Sequence, residues 1–261
     1  MKLSKRTLNI LQLFSRMRKP LVIQQGNFVS QINPAGTVKA FAEIEETLPR
    51  FNLQDSTAFM SALKTFKNWD ELDFTFNNAY VIIKHENGEL KFKLSFDGFW
   101  EENAEKLPLS KPEELDFEAD YSFIITAAEY TQFMNTARAI GATVFMLRDG
   151  EMKALQSEFD GEWGNVFTHK IENGKFSSDT KEEDKHVEIY VPLDTMPDDS
   201  KSDSDVEFEV YHNEGFMVVR TLGNKVDYII YRYDDDEAND TDGNVDRLHI
   251  IAFAHRTEDD V

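Results

Sequence analysis

The chain of 261 residues contains no cysteine. A disulfide framework and thiolate chemistry are therefore excluded, and the composition suits a reducing cytoplasm. No apolar run reaches the roughly 18 residues needed to span a bilayer. The N-terminal stretch lacks the uninterrupted apolar segment and small-residue cleavage site of a secretory signal, so a soluble intracellular protein without membrane contact is expected. The six histidines form neither an HExxH motif nor any paired ligand spacing, which argues against zinc. GxSxG, Walker and dinucleotide-binding motifs are all missing. Neither a cofactor, a metal nor an enzymatic activity is expected.

A further absence is local. The chain holds 49 acidic residues, yet none precedes Glu43. Up to that point Lys2, Lys5, Arg6, Arg16, Arg18, Lys19 and Lys39 carry seven positive charges, and the remaining 21 basic and 49 acidic residues leave −28, for a net −21. Nonspecific affinity for nucleic acid comes from neutralising phosphates with Lys and Arg. A body of this charge repels polyanions, so any such contact must be confined to a small surface.

The opening segment provides one. At about 100° per residue, residues 3–19 form a helix with two faces. Lys2, Lys5, Arg6, Asn9, Gln12, Arg16 and Lys19 fall on one side. Leu3, Leu8, Ile10, Leu11, Phe14 and Met17 fall opposite, with Leu13 on the wrong border. Ser4 is placed to cap the first turn, and Pro20 closes the helix by disfavouring the helical conformation at Lys19. A basic amphipathic helix can also lie on an anionic membrane, act as a transit peptide or simply present a solvated polar face. The strand pattern that follows at once, and the neutral Asn9 and Gln12 on the polar face, favour phosphate contact. Lys64, Lys67 and Arg138 occupy comparable places on the next two helices.

Short strand-like segments follow at residues 21–23, 28–32, 39–44 and 50–53, with turns around Gly26 and at Asn33-Pro34-Ala35-Gly36. A second helix is signalled by Gln54 or Asp55 as cap and by Phe59, Met60, Leu63 and Phe66 at helical spacing. Strands resume at 72–76, 80–85 and 90–95, with Asn87-Gly88 as a hairpin turn. Residues 96–114 read as a connector. The second half opens with a strand ending near Ile125 and a helix over 127–140 that Gly141 stops. Strands are then expected at 143–148, 152–156, 186–191, 206–211, 217–222, 226–233 and 248–254. A fourth helix near Asp194 is reduced to little more than a turn by Pro197. This rhythm of helix and then strands, repeated four times, implies an α+β chain of two similar domains, 1–108 and 109–261, each with two helices on a sheet.

Acidic runs at 182–184, 198–199, 203–205 and 234–237 invite a metal-site reading, and residues 240–243 resemble a calcium loop superficially. The ligand spacing is incomplete and no closing Glu follows, so these runs read as solvated loops. In the connector, Phe99 and Trp100, with Leu107 and Leu109, either pack onto their own domain or form an apolar pocket for a partner peptide.

Taken in order, residues 1–5, Thr7, Phe14, Gly26-Asn27-Phe28, Gly36, residues 40–44, Phe51, Asp55, Phe59 and Leu63 resemble the sliding clamps of T-even-type bacteriophages. The likeness is strongest over the first 70 residues, continues through the 127–140 helix and the hairpin after it, and fades past Lys170. It implies the DNA-clamp fold, with antiparallel sheets outside and two helices per domain on the inner face. It also implies a homotrimeric ring that encircles double-stranded DNA without reading sequence and tethers the replicative DNA polymerase. An ATP-dependent clamp loader would open the ring, and late-transcription factors would share it. Lys2, Lys5, Arg6, Arg16, Lys19, Lys64, Lys67 and Arg138 would face DNA, and the host cell's cytoplasm would be the location. The chain departs from the family pattern in acidic loops around 179–185, 198–205 and 234–243. The competing reading is an acidic DNA mimic that occupies a basic partner, which leaves the basic helix face unexplained.

Overall fold

The computed structural model describes residues 1–17, 21–66, 68–77, 79–86, 88–94, 107, 110–112, 115, 118–157, 163–178, 185–197, 204–211 and 214–232. The expected strand at 248–254, the turn residue Asn87 and most of the acidic loops lie outside them. The chain divides into two compact units: residues 1–117 with 224–228, and residues 118–223 with 229–261.

In the first unit, α1 (Lys5–Met17) is amphipathic as the spacing predicts, burying Leu8, Ile10, Leu11 and Phe14. Leu13 is buried too, at 8% exposure, so the apolar stripe is wider than the helical plot suggests, while Met17 at the helix end is half-exposed. This face packs on β2 (Gly26–Ile32) and β3 (Val38–Leu48), which form an antiparallel hairpin, and on α2 (Ser56–Leu63). Asn33 organises the hairpin loop. Its Oδ1 accepts from the Val38 N–H at 3.0 Å, its Nδ2 donates to Thr37 Oγ1 at 3.0 Å, and Gly36 takes φ 73°.

The same unit holds β1 (Leu21–Ile23) paired with β4 (Phe51–Leu53). It also holds a three-stranded antiparallel sheet of β5 (Asp73–Phe76), β6 (Tyr80–His85) and β7 (Gly88–Lys93). Ring contacts join these pieces: Phe51 to Phe76 at 4.9 Å and Phe59 of α2 to Phe92 of β7 at 5.2 Å. Edge and offset contacts of this kind add to the area that aromatic side chains bury.

The second unit opens with β8 (Tyr121–Ile125) and α3 (Ala127–Ala139). One antiparallel sheet runs β11 (Trp163–Lys170), β10 (Glu151–Ser157), β9 (Val144–Arg148), β13 (Glu188–Pro192). A second sheet includes, in order, β12 (Lys175–Phe176), β8, β14 (Val206–Tyr211) and β15 (Phe216–Thr221). The last described strand, β16 (Val226–Tyr231), begins in the first unit and ends in the second.

Aromatic rings form the core of this unit. Phe123 stacks on Phe208 at 4.6 Å, and Phe208 on Phe145 at 6.2 Å, which ties the two sheets together. Helix α3 sits on this column through Tyr130, 6.2 Å from Phe208, and Phe133, 5.8 Å from Phe145. Each fully buried ring contributes on the order of 2 kcal/mol from area alone.

The structure adds two strands to the expected elements and agrees with the expectation of little more than a turn at the fourth helical position. Strands β11 and β12 have no counterpart among the expected strands: β11 has no fully buried position to mark a core face, and β12 is only two residues long. The fourth helical position holds one 3-10 turn, Leu193–Thr195. Pro192 precedes it and Pro197 follows, and the carbonyl of Pro197 accepts a 2.7 Å hydrogen bond from the buried Tyr130 hydroxyl. That bond fastens the segment to α3 without a helical turn to spare.

Candidate nucleic-acid interface

Helix α1 begins at a cap assembled from distant parts of the sequence. Ser4 Oγ accepts from the Thr7 N–H at 3.2 Å, as the sequence predicts. Glu46, on β3, adds the carboxylate that the first turn lacks: it accepts from the Ser4 N–H and, at 2.5 Å, from Thr7 Oγ1. Partial burial would push its pKa up, but the hydrogen bonds from Thr7 and Ser4 outweigh burial and hold it below the ordinary glutamate value. A carboxylate at a helix N-terminus also meets the positive end of the macrodipole. The negative charge of Glu46 is thereby committed to the cap.

The opposite side of the helix is cationic. Lys5 and Arg16 are exposed, Arg6, Asn9 and Gln12 are half-exposed, and Arg16 lies in the last turn, where a cation suits the helix C-terminus. Lys2 is exposed just before the helix, between the buried Leu3 and Met1, whose carbonyl accepts from the Phe74 N–H at 2.7 Å. Arg6 is held: its Nε donates to the carbonyl of Asn224 at 2.9 Å. Of the five N–H donors of a guanidinium, the four on Nη1 and Nη2 remain for other acceptors.

Helix α2 is capped by Asp55, whose Oδ1 accepts from the Ala58 N–H at 2.8 Å. It ends at Lys64, exposed, with its backbone N–H bonded to Met60 at 3.2 Å. Because α2 packs beside α1, Lys64 belongs to the same unit as Lys2, Lys5, Arg6 and Arg16. Lys19 and Lys67 lie outside the described residues.

Comparison with known proteins gives this arrangement a family context. No family model matches the chain. The sliding clamp of Vibrio phage KVP40 is 26% identical over 185 residues, covering 69% of this chain and 80% of the phage protein. The Helicobacter pylori beta clamp aligns with a TM-score of 0.60 at 12% identity, over 90% of this chain and 65% of that one. Proliferating cell nuclear antigen from Entamoeba histolytica aligns with a TM-score of 0.60 at 11% identity, over 87% of this chain and 94% of that one. The A. fulgidus PCNA structure, in which the C-terminal region of FEN-1 is bound, gives 0.59 at 13% identity. The fold is that of a DNA sliding clamp. The phage match also bears out the resemblance to phage clamps.

Within the clamp fold, Arg138 occupies the last turn of α3 and is exposed. That helix is set by a complete capping box: Thr126 Oγ1 accepts from the Glu129 N–H at 3.3 Å while Glu129 Oε2 accepts from the Thr126 N–H at 3.0 Å. Of the proposed partner-pocket residues, Leu107 is buried with Val22 and packed against Ile32 of the first unit. Phe99, Trp100 and Leu109 lie outside the described residues. Among the described residues no helix is long and apolar enough to cross a membrane, and no group of three His, Asp or Glu side chains forms a metal-binding cluster.

Sequence reasoning missed the two long-range bonds of α1, Glu46 to its first turn and Arg6 to Asn224. The second spans 218 residues, and no spacing rule reaches that far. The turn at 222–225 carries the one legible hint, a Gly-Asn pair between two strands.

Proposed function

We propose that this chain is a DNA polymerase processivity factor that works by topology and does no chemistry. Three copies close a ring around double-stranded DNA, each contributing two clamp domains, residues 1–108 and 109–261, with helices inward and sheets outward. The observation that carries the reading is the separation of charge in a clamp fold: Lys5, Arg6 and Arg16 on α1, Lys2 just before it and Lys64 at the end of the packed α2 belong to a chain whose net charge is −21. The Lys19, Lys67 and Arg138 side chains complete the set. Such contacts are phosphate-directed and carry no sequence information, so the ring moves along any sequence.

The chain divides into two compact units, and three copies of a two-domain subunit supply six domains to the ring. Edge strands of neighbouring subunits would pair across the junctions, covering backbone groups that are otherwise a hazard. The replicative polymerase would dock a short apolar tail near Phe99, Trp100, Leu107 and Leu109, an ATP-dependent loader would open the ring, and late-transcription factors would bind the same clamp in the cytoplasm of an infected host. No cofactor enters.

Sedimentation equilibrium tests the assembly. The clamp reading predicts a species three times the chain mass. The acidic DNA-mimic reading, which rests on the net charge alone, predicts a monomer or dimer that competes with DNA for a basic protein. A monomer at micromolar concentration that still displaces DNA from such a protein would favour the mimic.

A further inference from the structure

Two described non-glycine residues take positive φ: Asp149 at 47° and Lys225 at 50°. Asp149 needs no special explanation. It shares a two-residue hairpin turn with Gly150, at φ 81°, and Asp is one of the few residue types that enter the left-handed region often. Lys is not. A lysine has no short polar side chain to bond its own backbone there, and its Cβ crowds the neighbouring carbonyl. Gly or Asn would relieve the turn between β15 and β16, which makes the lysine side chain itself the feature in need of a reason.

The reason lies next door. Lys225 is exposed, and the residue before it, Asn224, offers its carbonyl to Nε of Arg6. That bond docks the turn against the cationic face of α1, and both groups belong to the same unit. The strained backbone and the Arg6 anchor are independent observations: the first marks Lys225 as a side chain kept at a backbone cost, and the second puts its turn beside the helix.

The geometry points to Lys225 as a further backbone-phosphate contact of the clamp, set beside Arg6 by the Asn224 carbonyl. Arg6 thereby does two things: its Nε positions the turn, and its Nη groups stay available to the same stretch of phosphates. This inference rests on the clamp reading and adds to it a contact contributed by a loop, in a surface otherwise built from helices.

The test uses the full chain on linear duplex DNA that the protein enters through the ends, after which both ends are blocked with streptavidin. Retention on the blocked DNA is measured for wild type, and equilibrium affinity for the same duplex with its ends left open is measured over a salt series for wild type, Lys225→Gly, Lys225→Asn and Lys225→Arg. The Gly and Asn variants remove the charge and relieve the strain, so they should melt at or above the wild-type temperature while the logarithmic salt slope falls by about 0.9 for each phosphate no longer neutralised. The Arg variant should keep the wild-type slope. If wild type is retained and the Gly and Asn variants share its slope, Lys225 makes no phosphate contact and the inference fails alone. If wild type is not retained on blocked DNA, the clamp reading fails and takes the inference with it.

Discussion

At the scale of single residues, Glu46 links the sheet to the start of α1 and titrates accordingly. Its folded-state pKa is depressed, so its contribution is present above the ordinary glutamate value of 4.5 and is lost as pH falls through the lower folded value. Glu46→Gln should therefore be less stable than wild type at neutral pH, by about 1 kcal/mol as for other N-terminal caps, and the gap should close in denaturation curves taken at progressively lower pH. A gap that widens in acid would contradict the assignment. Gly174 makes a different kind of demand. A Cβ there would stand 1.7 Å from the Tyr121 hydroxyl and 2.5 Å from Cζ of the same ring, which is buried between Phe123 and Phe176. Gly174→Ala should destabilise by about 1–3 kcal/mol in urea melts. In a Tyr121→Phe background the penalty should shrink only in part, because the ring carbon stays in the way.

At the scale of elements, α3 stands on Phe208 and Phe145 and is held at its start by Thr126 and Glu129. Thr126→Ala should cost about 1 kcal/mol of stability. Adding Glu129→Gln should cost less than the sum of the two single changes, because both residues serve one reciprocal cap; a thermal-melt double-mutant cycle measures the coupling. The helices are legible in sequence because their signals are local: Ser4 and Asp55 sit just ahead of apolar residues at helical spacing, and Gly141, at φ 70°, ends α3. Strands with a buried face, such as β14 and β15, are legible for the same reason. Strand β11 is not, since none of its residues is fully buried and no apolar face stands out along it. The cationic face of α1 can be read from seven side chains, whereas its anchoring by Glu46 and Asn224 depends on chain pairings that no local pattern encodes.

At the scale of the whole molecule, the account depends on opposing charges kept apart: a net −21 on the chain and a cationic surface on α1 and α2. Exposed ion pairs and single surface charges contribute little each, so the effect on DNA must be collective. Lys5→Glu, Arg16→Glu and Lys64→Glu together should leave the circular dichroism spectrum unchanged while sharply reducing processive synthesis on long primed templates at physiological salt. Arg6 is left out of that set because its Nε also holds the turn at Asn224. The most direct measurement asks whether binding is topological. Protein trapped on linear duplex with both ends blocked should stay through washing and then leave when a restriction enzyme cuts the DNA between the blocks. Equal retention on cut and uncut DNA would mean that the chain grips the duplex by contact alone, and would contradict a sliding ring.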